Sequence, residues 1–128
     1  VNEKPNEWFI LNLYLTYSYI FDNDYIGAID NISNVEKQLN ERGFDEITLL
    51  QRKGQVSWQK MICYAHNQME EDAYVSLGKR ILFNKRRAEL LKDPNVTRQV
   101  KSDEQLQTAW VKILFGKYED AKKKIKNN

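Results

Sequence analysis

A chain of 128 residues with 41% hydrophobic content carries enough apolar material for one folded domain without staples, and two prolines exclude a proline-rich disordered linker. One cysteine, Cys63, excludes an internal disulfide and fits a reducing compartment; the start, VNEKPNEW, is polar and acidic where a secretory leader is basic and then apolar, so a cytoplasmic protein is expected. The net charge of +2 is unevenly spread, six Lys/Arg against nine Asp/Glu over residues 1–64 and fourteen against nine over residues 65–128, a pattern of either a lysine-rich solvated surface or a surface for an acidic partner.

From Trp8 to Phe21, eleven of fourteen residues are apolar or aromatic. Asn12, Thr16 and Ser18 interrupt the run, which is too short to cross a membrane, so no membrane partner is expected. It is also longer than most strands. The segment reads as a helix over 6–21 with Pro5 and Asn6 at its start. Asp22-Asn23-Asp24 breaks it and supplies a cap for a second helix over about 24–42. That helix places Tyr25, Ala28, Ile29, Ile32, Val35 and Leu39 at spacings of three and four, and Gly43 suits its C-terminal boundary. Residues 45–54 are ambiguous between one turn and a third helix, because Gly54 weakens a continuous one. A helix is expected over 55–69 and another over 70–92, the latter with Glu70, Glu71 and Asp72 at its positive end and Pro94 as its stop. Residues 93–102 read as the main loop. Ser102-Asp103 then caps a helix over about 103–114, and Gly116 separates it from a last helix over about 117–126.

Three stretches share a spacing: Tyr25…Ala28…Ile32, Tyr74…Leu77…Ile81 and Tyr118…Ala121…Ile125. A recurring interval of this order marks stacked helical pairs. FGKYEDAKKKI at 115–125 and LTYSYIFDNDYIGAI at 15–29, with Leu15, Tyr19, Tyr25 and Ala28 in order, resemble the helix-turn-helix of the tetratricopeptide-repeat superfamily. The second stretch departs from that pattern, with Leu77 where alanine is expected. The resemblance implies antiparallel helical hairpins and a concave surface that receives a peptide or helix. Read without it, Tyr25, Ala28, Tyr118 and Ala121 are core residues at helix crossings.

The fold class expected is all-α: five or six helices packed as antiparallel hairpins over about 6–43, 55–92 and 103–127, in one domain spanning 1–128, as a tetratricopeptide-like stack or an irregular bundle. A first helix apolar on nearly every side needs neighbours on nearly every side, so it is expected to be central or interfacial. Trp8, Phe9, Tyr14, Tyr17 and Phe21 are its candidate partner-binding residues.

No catalytic constellation is visible. His66 is the only histidine. With Cys63 and Glu70 it has metal-ligand spacing, but no second segment supplies further Cys or His ligands, so no metal or cofactor is expected. No nucleophile elbow or phosphate loop is present. The expected function is a non-enzymatic protein- or peptide-interaction module of regulatory or adaptor type, with a second copy of the chain among its partners. The alternative is a small nucleic-acid-binding protein, or an accessory subunit of a nucleoprotein complex, using Lys79, Arg80, Lys85, Arg86, Arg87, Arg98 and Lys101 on phosphates.

Overall fold

The computed structural model describes residues 4–126, so residues 1–3, 127 and 128 of the expected domain lie outside the described residues. Six α-helices follow one another: α1 (Pro5–Phe21), α2 (Tyr25–Leu39), α3 (Glu46–His66), α4 (Glu70–Leu91), α5 (Pro94–Leu114) and α6 (Tyr118–Lys126). They pair as α1–α2, α3–α4 and α5–α6, and the hairpins join through α2–α3 and α4–α5. No described helix is long and apolar enough to cross a membrane.

Within each hairpin the turn is built the same way. Asn23, Gln68 and Gly116 hold left-handed backbone, with φ of 60°, 59° and 75°. In each turn this residue's N–H bonds the carbonyl three back (Ile20, Ala65, Ile113), and the next N–H bonds the carbonyl five back (Tyr19, Tyr64, Lys112). This double bond closes the exposed carbonyls of the first helix. An alanine then follows at the fourth residue of the second helix: Ala28, Ala73 and Ala121, all buried. The repeat is therefore registered on the turn, and its middle alanine is Ala73. The sequence pattern aligned Tyr74 and Leu77 with Tyr25 and Ala28, one helical turn too late, because α4 begins with Glu70 rather than with a tyrosine.

Left-handed backbone disfavours a residue with a Cβ by about 1 kcal/mol. Gln68→Gly is accordingly expected to raise stability by up to about 1 kcal/mol, and Gly116→Gln to lower it by a similar amount. Urea denaturation of the two variants checks both signs.

Two boundaries differ from expectation. Residues 45–54 belong to α3. Asp45 caps it, accepting from the N–H of Thr48 at 2.8 Å and from its hydroxyl at 3.0 Å, and these bonds hold the Asp45 carboxyl below the usual range. Gly54 does not break the helix; it lies buried where α3 meets α4, and a Cβ there would sit 3.2 Å from Asn84 Oδ1. Residues 94–102 are helix, not loop. Asp93 accepts from the N–H of Asn95 and Pro94 is the first residue of α5. Proline is pre-organised for that position, so Pro94, expected as a stop, starts α5, while α4 ends at Leu91 with Lys92 in left-handed backbone. Ser102 and Asp103 sit within α5 and cap nothing.

The core has two parts. Trp8, Phe9, Ile20, Ala28, Ile32, Val35, Leu39, Val56 and Cys63 form the first; Met61, Ala65, Ala73, Leu77 and Val111 form the second. α3 feeds both and is the central helix. α1 lies at one end of the stack, against α2 and part of α3. Small buried residues, Gly54 and Ser57 on α3 with Ala73 and Ser76 on α4, let these two helices approach closely along their length.

Candidate functional site

α4 places Arg80, Asn84 and Arg87 on one face, at intervals of four and three residues. α3 brings Gln51 and Gln55 to one side of that face. α5 brings Val96, Gln99, Val100 and Asp103 to the other, and the three helices enclose a cleft of about 250 Å³. Beyond the cleft, toward the C-termini of α3 and α5, Trp58 and Trp110 stack with ring centres 5.4 Å apart and join the two helices.

Arg80 is held on three sides. Its Nε donates to Gln107 Oε1 at 3.0 Å, its Nη1 donates to the Gly54 carbonyl at 3.0 Å, and its guanidinium lies 4.8 Å from the Trp58 ring centre. Burial lowers its pKa and nearby Asp103 opposes that shift; a guanidinium remains charged regardless. Arg87 is less provided for: its Nε is buried without a hydrogen-bond partner. Leaving such a donor unmet costs about 1–3 kcal/mol, and more when it is charged. The cleft thus combines the held guanidinium of Arg80, the Arg87 guanidinium with its unmet Nε, one carboxylate, and the side-chain amides of Gln51, Gln55, Asn84 and Gln99. Amides both donate and accept, which matches the alternating N–H and C=O of a peptide; guanidiniums match a carboxylate. The volume falls at or below the low end of the ~300–1,000 Å³ typical of small-molecule sites, and suits a side chain or a chain terminus. Among the described residues no group of three or more His, Cys, Asp or Glu side chains is placed to hold a metal.

The residues singled out on α1 divide. Trp8 and Phe9 are core: Arg42 lies 4.2 Å over the Trp8 ring, while Phe9 meets Phe44 edge-on at 6.4 Å and has Arg52 above it at 4.7 Å. Tyr17 is half-buried and stacks on Phe21 at 6.3 Å. Tyr14 and Phe21 are open, at 67% and 80% exposure.

The basic residues fall on different faces. Lys79 and Arg86 point outward from α4. Lys85 pairs with Glu104 at 3.0 Å. Arg80 and Arg87 line the cleft. Arg98 bonds Asn95, and Lys101 lies on an exposed part of α5. Lys85 and Lys101 are brought to one groove between α4 and α5, which Glu89 and Glu104 also line. The sequence does not single out Gln51, Gln55, Asn84, Gln99 and Asp103: Gln51 falls in the ambiguous stretch 45–54 and Gln99 in the expected loop 93–102, while Gln55, Asn84 and Asp103 lie in expected helices but are single polar residues with no pattern of their own. The usable signals were Asp93-Pro94 as cap and first residue, and Val96 with Val100 four apart.

Cys63 and His66 are apart from the cleft. Cys63 is fully buried in the first core, and burial pushes its thiol up to about 11; His66 stacks on Tyr25 at 5.1 Å. A thiol with that value is protonated at neutral pH and unreactive. Native protein at pH 8 is expected to react with a thiol-specific chromogenic reagent only as fast as it unfolds, and completely once denatured; rapid labelling of native protein would contradict the placement of Cys63.

Comparison with protein-family models, curated proteins and solved structures finds no match.

Proposed function

We propose that this chain is a peptide-interaction module that receives a carboxylate-bearing side chain or C-terminus of a peptide in the cleft between α3 and α5, in a regulatory or adaptor role. The observation that carries this reading is the convergence of four side-chain amides with Arg80 and Arg87, one of whose charged donors has no partner within the protein. The tetratricopeptide resemblance points the same way, since it implies hairpins that offer a peptide-receiving surface. A groove that holds a peptide through amides and guanidiniums, with Val96 and Val100 as its apolar part, needs no cofactor for that task, and in this reading the chain is non-enzymatic. The partition of the basic residues among several faces favours this reading over a nucleic-acid surface, which needs a continuous run of phosphate contacts.

Panning a random hexapeptide library against the immobilised wild-type protein, with an Arg87→Gln, Gln55→Ala variant as counter-selection, tests it. Peptides carrying Asp, Glu or a free C-terminal carboxylate should be enriched on wild type alone. Enrichment of basic or purely apolar peptides, or equal enrichment on the variant, would refute the assignment of this cleft.

A further inference from the structure

The three like turns fix which positions of α1, α3 and α5 correspond: residues 23, 68 and 116 superimpose in sequence, an offset of 45 and then 48. In α3 the positions that turn back toward the first hairpin are Val56, Gln59 and Cys63. Val56 and Cys63 belong to the first core, and Gln59 donates to the Leu13 carbonyl at 3.1 Å. In α5 the counterpart of Cys63 is Val111, buried against Met61 and Ala65 of the second hairpin. In α1 the counterparts are Leu11, Tyr14 and Ser18, and nothing covers them: Leu11 is 62% exposed. The other end mirrors this. Ile20 and Ala65 are buried under the hairpin that follows each, while their counterpart on α5, Ile113, is 42% exposed, and Leu106, counterpart of Leu13 and Trp58, is exposed as well.

The open face of α1 is thus the face by which the later hairpins pack on their predecessors, and the open face of α5 is the face by which the earlier ones receive their successors. The charges are complementary. Residues 4–42 carry three Lys/Arg against six Asp/Glu, and residues 94–126 carry eight against four, net −3 against +4. We infer that a second copy of the chain stacks head-to-tail, its α5–α6 hairpin seated on α1 through Leu106 and Ile113 against Leu11 and Tyr14, continuing the packing already present between the hairpins. Such a heterologous contact leaves a free end at each step, so assembly is open-ended rather than closed. None of Leu11, Tyr14, Leu106 and Ile113 lines the peptide cleft.

Sedimentation velocity of the full chain from about 10 μM to about 0.5 mM, the range in which a contact of modest affinity is populated, tests the inference. The wild type should gain mass with concentration beyond a dimer, and less so in high salt, which screens the opposed charges. Leu11→Lys with Tyr14→Lys should give a monomer, as should Leu106→Glu with Ile113→Glu; both pairs change exposed side chains, and far-UV circular dichroism confirms that they fold. An equimolar mixture of the two variants should form a 1:1 dimer and nothing larger, because each supplies the face the other lacks. A wild type that remains monomeric throughout, a dimer that survives either pair of substitutions, or a mixture that stays monomeric would overturn it.

Discussion

Phe9→Ala is expected to destabilise the protein by about 3–5 kcal/mol, the usual cost of emptying a large aromatic site in a core. Phe9 is 1% exposed, and its ring is held between the edge of Phe44 and the guanidinium of Arg52. Truncation removes both contacts and leaves a cavity between α1 and α3, with the Arg52 Nε, already buried without a partner, facing it. Tyr14→Ala and Phe21→Ala, two residues of the same helix, should each change stability by no more than about 0.5 kcal/mol, as exposed positions do. Guanidinium denaturation of the three variants at low protein concentration measures the contrast. Equal losses at positions 9 and 14 would mean that α1 is enclosed on both sides.

Ala73→Leu should cost about 1–3 kcal/mol or more, because added methylenes in a filled core push side chains off their rotamers. Ala73 is fully buried beside Met61, Ala65, Leu77 and Val111, in the second part of the core. The equivalent Ala28→Leu should behave alike. Ala121→Leu should cost less: α6 has nine residues and packs mainly on α5, so it can shift outward. A graded series, with positions 28 and 73 above 121, is the expected order of thermal midpoints.

Much of this architecture was legible in the sequence, for identifiable reasons. The breaks at Asp22–Asp24 and Gly116 and the spacing of Ile32, Val35 and Leu39 each reflect a local rule that the packed structure obeys. Local signals failed where two of them competed. Pro94 reads as a stop for one helix but begins the next; the Asp93 cap is the signal that separates those roles, and α4 itself ends at left-handed Lys92. Gly54 weakens a helix in isolation, but in α3 its missing side chain admits Asn84 and leaves its carbonyl to Arg80. The apolar first helix was expected to be central or interfacial. The centre belongs to α3, whose buried Ser57 and Gln59 read as polar in sequence because their hydrogen-bonding capacity and small size matter only once neighbours are in place. The cleft was illegible for the same reason. Its residues come from three helices, the first part of one of which, 94–102, reads as loop in the sequence, and single amides carry no pattern of their own.

The central claim is that Arg87 and its neighbours form a peptide cleft rather than part of a general basic surface. The most direct measurement is the dissociation constant of one library-selected acidic hexapeptide for wild type, for Arg87→Gln and for Lys79→Gln with Arg86→Gln. Loss of one charge-assisted hydrogen bond is about 1.5–3 kcal/mol, so Arg87→Gln is expected to weaken binding by roughly 10- to 100-fold, while the outward-facing pair, though it removes twice the charge, leaves it within about twofold. An equal or greater loss from the Lys79 and Arg86 pair, or none from Arg87→Gln, would contradict the account.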